Sequence, residues 1–224
     1  MNRTQLQFIL KALLFTAARV EYHGTEHLPK EGGLLVATNH MSRMDTLYLF
    51  LNPARLDITA LVADKYKKYP VFNWILDVGK VIWLDRDKAD FTAFRKAAEY
   101  LKSGVALGIA PEGTRSRDGQ LQEGKPGIAL LGLKAGVPIV PVGIAGTDQY
   151  FHRLLTLRRP RVSLTFGPAF TPPALDRNNR DESLKNITDE IMCRIAILLP
   201  PSYWGVYKDH PRLKEMLAHR DDYV

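Results

Sequence analysis

Cysteine is nearly absent from this sequence. Cys193 stands alone among 224 residues, so neither an intrachain disulfide nor a cysteine-built zinc cluster can form. That composition suits a reducing compartment. A long apolar run is missing too. The most apolar stretch, residues 5–18, is interrupted by Gln7 and Lys11 and falls short of the roughly 20 residues that a bilayer span needs. Arg19, Val20, Glu21 and Tyr22 follow it, with no small-residue cleavage pattern, so it does not read as a cleaved signal peptide. Acidic residues are in deficit. Asp and Glu number 24 against 31 Lys and Arg, a net charge of +7, which favours an anionic partner. The basic residues are scattered, with no zinc finger and no basic strand interleaved with aromatics, so nucleic acid is not expected. Repeats and low-complexity tracts are also lacking. With 46% hydrophobic and 25% charged residues, a disordered chain, a collagen-like fibre and a multi-span membrane protein are all excluded.

Strand-like and helix-like segments alternate along the chain. Short apolar runs at 34–38, 58–62, 80–84, 105–110, 139–144 and 162–166 predict six strands. Helices are expected from Ser42 to Leu51, around 72–76, over 90–102, 128–135 and 181–198. Such alternation predicts an α/β fold, a single-domain mixed β-sheet flanked by helices, with an N-terminal amphipathic helix. The expected organisation is a helix over 1–19, one domain over 20–199 and a tail over 200–224. The strand bearing Pro138 and Pro141 should lie at a sheet edge or beside a special site, because proline lacks a ladder donor.

In the N-terminal helix, Thr4, Gln7 and Lys11 form a narrow polar stripe on an otherwise apolar surface. Two readings are open. The helix packs on the domain, or it lies in one leaflet of a membrane, rimmed by Arg3, Lys11 and Arg19. Basic runs at Lys65, Lys67 and Lys68, and at Arg153 and Arg158 to Arg161, could face anionic head groups or solvent.

Chemistry-bearing residues gather after the strands, where open α/β sheets bind ligands. His40 lies two residues past the first expected strand, and Asp45 lies in the first turn of the next helix. Across such a corner a carboxylate can bond one imidazole nitrogen and leave the other as a base. Alternatively, Ser42-x-x-Asp45 is only a capping box. Pro111-Glu112-Gly113-Thr114-Arg115-Ser116 follows another strand. There, glycine permits close backbone approach and Arg115 offers a fork suited to phosphate; the plainer reading is a turn with an exposed ion pair. A third strand delivers Asp85-Arg86, and a fourth segment reads Val137-Pro138-Ile139-Val140-Pro141.

In joint order these four motifs resemble the glycerolipid acyltransferase family, best known for its 1-acylglycerol-3-phosphate acyltransferases. The likeness covers about residues 20–147. It implies His40 as general base and Asp45 as its orienting carboxylate. It implies acceptor binding by Arg86, Glu112, Gly113, Thr114 and Arg115, a supporting role for Lys125, and a site-shaping or donor-placing role for Pro141. Ala110 stands where the family usually has Phe, and Trp83-Leu84-Asp85-Arg86 reorders the bulk of the second motif. The implied reaction moves a fatty acyl group from acyl-CoA or acyl carrier protein to a lysophospholipid, 1-acyl-sn-glycerol-3-phosphate giving phosphatidic acid. It needs no cofactor and no metal. The enzyme would work as a peripheral protein on the inner face of the cell membrane. The alternatives are another lysolipid or glycolipid acceptor, or hydrolysis of an acyl ester or thioester by the same His40–Asp45 pair. No Gly-x-Ser-x-Gly elbow is present to support covalent catalysis.

Overall fold

The computed structural model describes residues 1–85 and 91–224. In chain order the helices are α1 (Arg3–Ala17), α2 (Arg43–Phe50), α3 (Pro70–Val78), α4 (Phe91–Lys102), α5 (Gly127–Ala135), α6 (Tyr150–Leu155), α7 (Arg180–Ala196) and α8 (Pro211–Ala218). The strands are β1 (Arg19–His23), β2 (Leu34–Thr38), β3 (Thr59–Ala63), β4 (Ile82–Leu84), β5 (Ala106–Ile109), β6 (Ile139–Ala145) and β7 (Arg161–Phe166). They form one mixed sheet in the order β1-β7-β6-β2-β5-β3-β4. β4, β3, β5, β2 and β6 run parallel, and β7 turns antiparallel to β6. The carboxyl ends of five strands therefore share one edge, and the chain leaves β2 at the centre of that edge.

Side-chain alternation builds a core on each face. Leu35 and Ala37 of β2 join α4, α5, α7 and α8 in one buried cluster. Leu34 and Val36 point the other way, into a cluster with Met44 and Tyr48 of α2 and Tyr150 of α6. Leu14 and Phe15 of α1 pack against this second cluster. The amino ends of the central strands are tied by Arg55, which is 3% exposed. Its guanidinium donates to the carbonyls of Pro29 at 2.8 Å and Gly104 at 3.0 Å, and pairs with Asp57 at 2.8 Å.

The six expected strands are present, and β1 is a seventh that sequence reading passes over. Its residues are half-buried or exposed and carry charge at Arg19 and Glu21; only parallel pairing with β7 makes it a strand. α6 and α8 were likewise not anticipated. Of the two places expected for the proline-bearing strand, the edge is corrected: β6 lies inside the sheet, between β2 and β7, next to the strand whose following loop carries His40. The ladder tolerates Pro141 because the chain after β7 slips by one residue beside it. Gly167 N–H donates to the Pro141 carbonyl at 2.9 Å, pairing resumes only at Ile139 with Phe170, and the absent return donor falls in the bulge between them.

The 200–224 segment closes the first core. Tyr207, Leu213 and Met216 are buried in it, and the Tyr207 hydroxyl accepts from the Gly124 N–H at 3.0 Å.

Because Arg55 is a buried cation serving several backbone carbonyls, Arg55→Ala leaves them without donors. It should destabilise the protein in denaturant unfolding by roughly 1–3 kcal/mol for each buried carbonyl left without a partner, with secondary structure retained at low denaturant.

Candidate active site

The loop after β2 is fixed before any catalytic atom is considered. The Asn39 side chain, 2% exposed, forms a two-way bridge to Ile144 of β6, donating to its carbonyl and accepting from its N–H, both at 2.8 Å. The next residue, His40, is held through its backbone as well. Its N–H donates to Glu112 Oε1 at 2.9 Å, and its carbonyl accepts from Ser116 N–H at 2.8 Å.

Asp45 caps α2 and also bonds the imidazole. Ser42 and Asp45 form a reciprocal capping box. Asp45 Oδ2 accepts from the N–H groups of Met41 and Ser42, each at 2.7 Å, and lies 3.0 Å from His40 Nδ1. Oδ1 accepts from the Thr147 hydroxyl at 2.5 Å. Asp45 is 1% exposed. With two amide donors already on Oδ2, the bond to His40 has Nδ1–H donating. Nε2 is then left as the basic nitrogen, and it has no hydrogen-bond partner among the described residues.

Glu112 is turned inward. It is 2% exposed, and its second oxygen accepts from Gln122 N–H at 3.0 Å. Burial pushes its carboxyl up to about 7, against the downward pull of the Gln122 and His40 amides. Gly113 beside it adopts φ +67, a left-handed conformation that glycine takes freely. The Lys125 side chain packs over it so closely that a Cβ there would stand 3.2 Å from Nζ.

Two cavities meet at His40. The first, of about 270 Å³, is walled by Leu49, Leu61, Leu84 and Ile109, with Asp85 and Lys125 at its polar side. The second, of about 380 Å³, is lined by Arg43, Lys65, Tyr66, Thr114, Arg115 and Arg117. Arg43 and Lys65 each place their charge 5.7 Å from the Tyr66 ring. None of the four cations has a carboxylate partner among the described residues.

Of the residues singled out from sequence, His40, Asp45, Gly113, Thr114, Arg115 and Lys125 converge on these cavities. Glu112 and Pro141 line neither. Arg86 lies outside the described residues. Sequence reasoning missed Thr147, separated from Asp45 by 102 positions; its signal was a hydroxyl just past a strand ending at the same edge. It also assigned Lys65 to the surface, whereas the residue lines the second cavity, and it gave Arg43 and Arg117 no role.

Glu112 supplies a pH signature. Its carboxyl holds a proton in the native state up to about pH 7, whereas the unfolded chain releases it near 4.5. The native state then binds more protons within that window, so this group's contribution to stability falls as pH rises through it. Glu112→Gln should remove that slope from denaturant midpoints measured between about pH 4.5 and 7.

Several known proteins are similar to this chain. A family model described as Acyltransferase matches residues 19–145. The chain is 30% identical over 142 residues to the 1-acyl-sn-glycerol-3-phosphate acyltransferase of Borreliella burgdorferi, covering 62% of this chain and 56% of that protein. It is 29% identical over 157 residues to the enzyme of the same name from Pseudomonas aeruginosa, covering 67% and 59%. The chain thus spans less than two thirds of the length of these relatives. Among solved structures, the 1-acyl-sn-glycerophosphate (LPA) acyltransferase PlsC from Thermotoga maritima superposes with a TM-score of 0.64 at 26% identity, covering 83% of this chain and 76% of that one. A family match over more than half of its residues, with the same fold in that structure, makes this chain a member of the acyltransferase family.

Proposed function

We propose that this protein transfers a fatty acyl group from a thioester, acyl-CoA or acyl carrier protein, to the free hydroxyl of a lysophospholipid, with 1-acyl-sn-glycerol-3-phosphate as acceptor and phosphatidic acid as product. One observation carries the reading: an imidazole of fixed tautomer stands where an apolar cavity and a cationic cavity meet. The apolar side suits an acyl chain. The cationic side suits a phosphate, which arginine forks bind in bidentate fashion.

The steps follow from these atoms. His40 Nε2 takes the proton of the acceptor hydroxyl as its oxygen attacks the thioester carbonyl. The C–O bond forms, the C–S bond breaks, and the thiolate leaves, receiving the proton from the imidazolium. Asp45 offsets the charge on the imidazolium without leaving its amide donors. Lys125, beside Gly113 in the same cavity as His40, supplies positive charge where the carbonyl oxygen becomes negative. Arg115, with Arg43, Lys65 and Arg117, holds the acceptor phosphate, and Arg86 is assigned to the same task by resemblance. Glu112 acts through the His40 backbone rather than on substrate. Pro141 shapes the strand beside β2.

Both lipids reside in bilayers, so the enzyme must work at one. Among the described residues no helix is long and apolar enough to cross a membrane. α1 turns Gln7 inward, where it bonds the carbonyls of Phe50 and Leu56 at 2.9 and 3.0 Å, and leaves Phe8 75%, Ile9 52% and Leu13 62% exposed. Val71 and Trp74 of the neighbouring α3 are exposed as well. This face supports docking in one leaflet, and we assign that leaflet to the inner side of the cell membrane. Arg3 is not part of the rim expected from sequence, since its guanidinium donates to the carbonyls of Leu56, Ile58 and Gly79. Leu14 and Phe15 pack on the domain instead of facing outward.

His40→Ala should lower transfer from acyl-CoA to 1-acyl-sn-glycerol-3-phosphate by about 10²–10⁴-fold. Its circular dichroism should be native, because Asp45 keeps Met41, Ser42 and Thr147 as donors; normal turnover would refute the base assignment. Arg115→Ala should raise the KM for the acceptor roughly tenfold or more, the scale of one charge-assisted hydrogen bond. Its kcat and its KM for the thioester should change little, and steady-state kinetics in both substrates separates these terms.

A further inference from the structure

A second apolar surface stands apart from α1, and the acyl-transfer machinery makes no use of it. α6 hides one residue, Tyr150, at 2% exposure, and turns its other large apolar side chains outward. Phe151 is 58% exposed, Leu155 85%, and Leu157, just past the helix, 97%. The turn that presents Leu157 is well formed. Arg158 N–H donates to the Arg153 carbonyl at 2.8 Å, and Leu157 N–H donates to that of Leu154 at 3.1 Å, the paired bonds of a Schellman motif. Leu157 occupies its left-handed position, with φ +54, where glycine would sit without strain. A strained turn thus carries a bare leucine into solvent.

The segment itself carries charge of one sign. Residues 149–175 contain Arg153, Arg158, Arg159 and Arg161 and no Asp or Glu. The position is equally telling. Because β7 is antiparallel to β6, the turn between α6 and β7 lies at the sheet edge that carries His40. α6 and α1 both cover the same face of the sheet, through Tyr150 and through Leu14 and Phe15. The two are joined directly. Arg159 donates to the carbonyls of Phe15 and Ala18 at 2.5 and 3.1 Å, and Arg19 N–H donates to that of Pro160 at 2.8 Å.

We propose that the α6 turn is a second membrane anchor, in which Phe151, Leu155 and Leu157 enter an anionic lipid leaflet while Arg153, Arg158 and Arg161 meet its head groups. This rests on the membrane-surface reading given above and adds a second point of contact. Two anchors on one side of the sheet fix the tilt of the domain, so that the edge bearing His40 faces the lipid that supplies its acceptor. Apolar insertion and head-group attraction act together in such contacts.

The test uses the full chain with single substitutions Leu157→Cys and Leu13→Cys, each labelled with a polarity-sensitive fluorophore. The native protein, whose Cys193 is buried, serves as blank. Phosphatidylcholine–phosphatidylglycerol vesicles should shift both probes to the blue, and phosphatidylcholine vesicles should do so less. In co-sedimentation, Leu155→Ser with Leu157→Ser should lower partitioning roughly tenfold or more. A shift at Leu13 with none at Leu157 would overturn the second anchor and leave the membrane reading standing. No shift at either would overturn both. A Leu157 response to purified acyl carrier protein and not to vesicles would overturn the lipid assignment in favour of an acidic protein.

Discussion

The Asp45 carboxylate collects two backbone amides, a hydroxyl and an imidazole in a place shut off from water. A charge buried to that degree is tolerated only if its lone pairs are filled, and these four donors come from two separate parts of the chain. Met41 and Ser42 bring the loop after β2, and Thr147 brings the loop after β6. His40, in that same loop after β2, brings the imidazole. The capping of α2, the closure of the sheet edge and the choice of tautomer are consequently one set of bonds. The site comes with the fold instead of being added to it.

Around that set the sheet does the sorting. Five parallel strands end at one edge, and the loops that follow them carry His40, Lys65, Asp85, Arg115 and Thr147. Leucine and isoleucine from β3, β4 and β5 wall one cavity, while the cations come from loops and from α2 and wall the other. Apolar and cationic surfaces thus meet at the His40 ring. Glu112 and Asn39 hold the His40 loop from behind through backbone bonds, which keeps the ring in place while leaving its free nitrogen open.

Much of this could be read from the residues. The corner between a buried apolar run and the Ser42 cap placed His40 beside Asp45, because the chain has few ways to turn there. Gly113 and Arg115 were legible for the same reason, a short polar loop directly after a strand. Glu112 was located but its task was not, since nothing in a motif says which backbone amides need an acceptor. Thr147 and the Asn39 bridge are contacts across more than a hundred positions, which spacing does not encode. β1 was hidden by its charged, half-exposed residues, and Pro141 suggested an edge because an interior strand tolerates it only where the ladder bulges beside it.

The central claim is that the hydroxyl of a lysophospholipid, and not water, is what His40 activates. Thiol release from palmitoyl-CoA by the purified protein, followed with and without 1-acyl-sn-glycerol-3-phosphate and with the lipid products resolved, tests it most directly. The account predicts release that depends on the acceptor and yields phosphatidic acid. Release at the same rate without acceptor, with free fatty acid as the product, would contradict it.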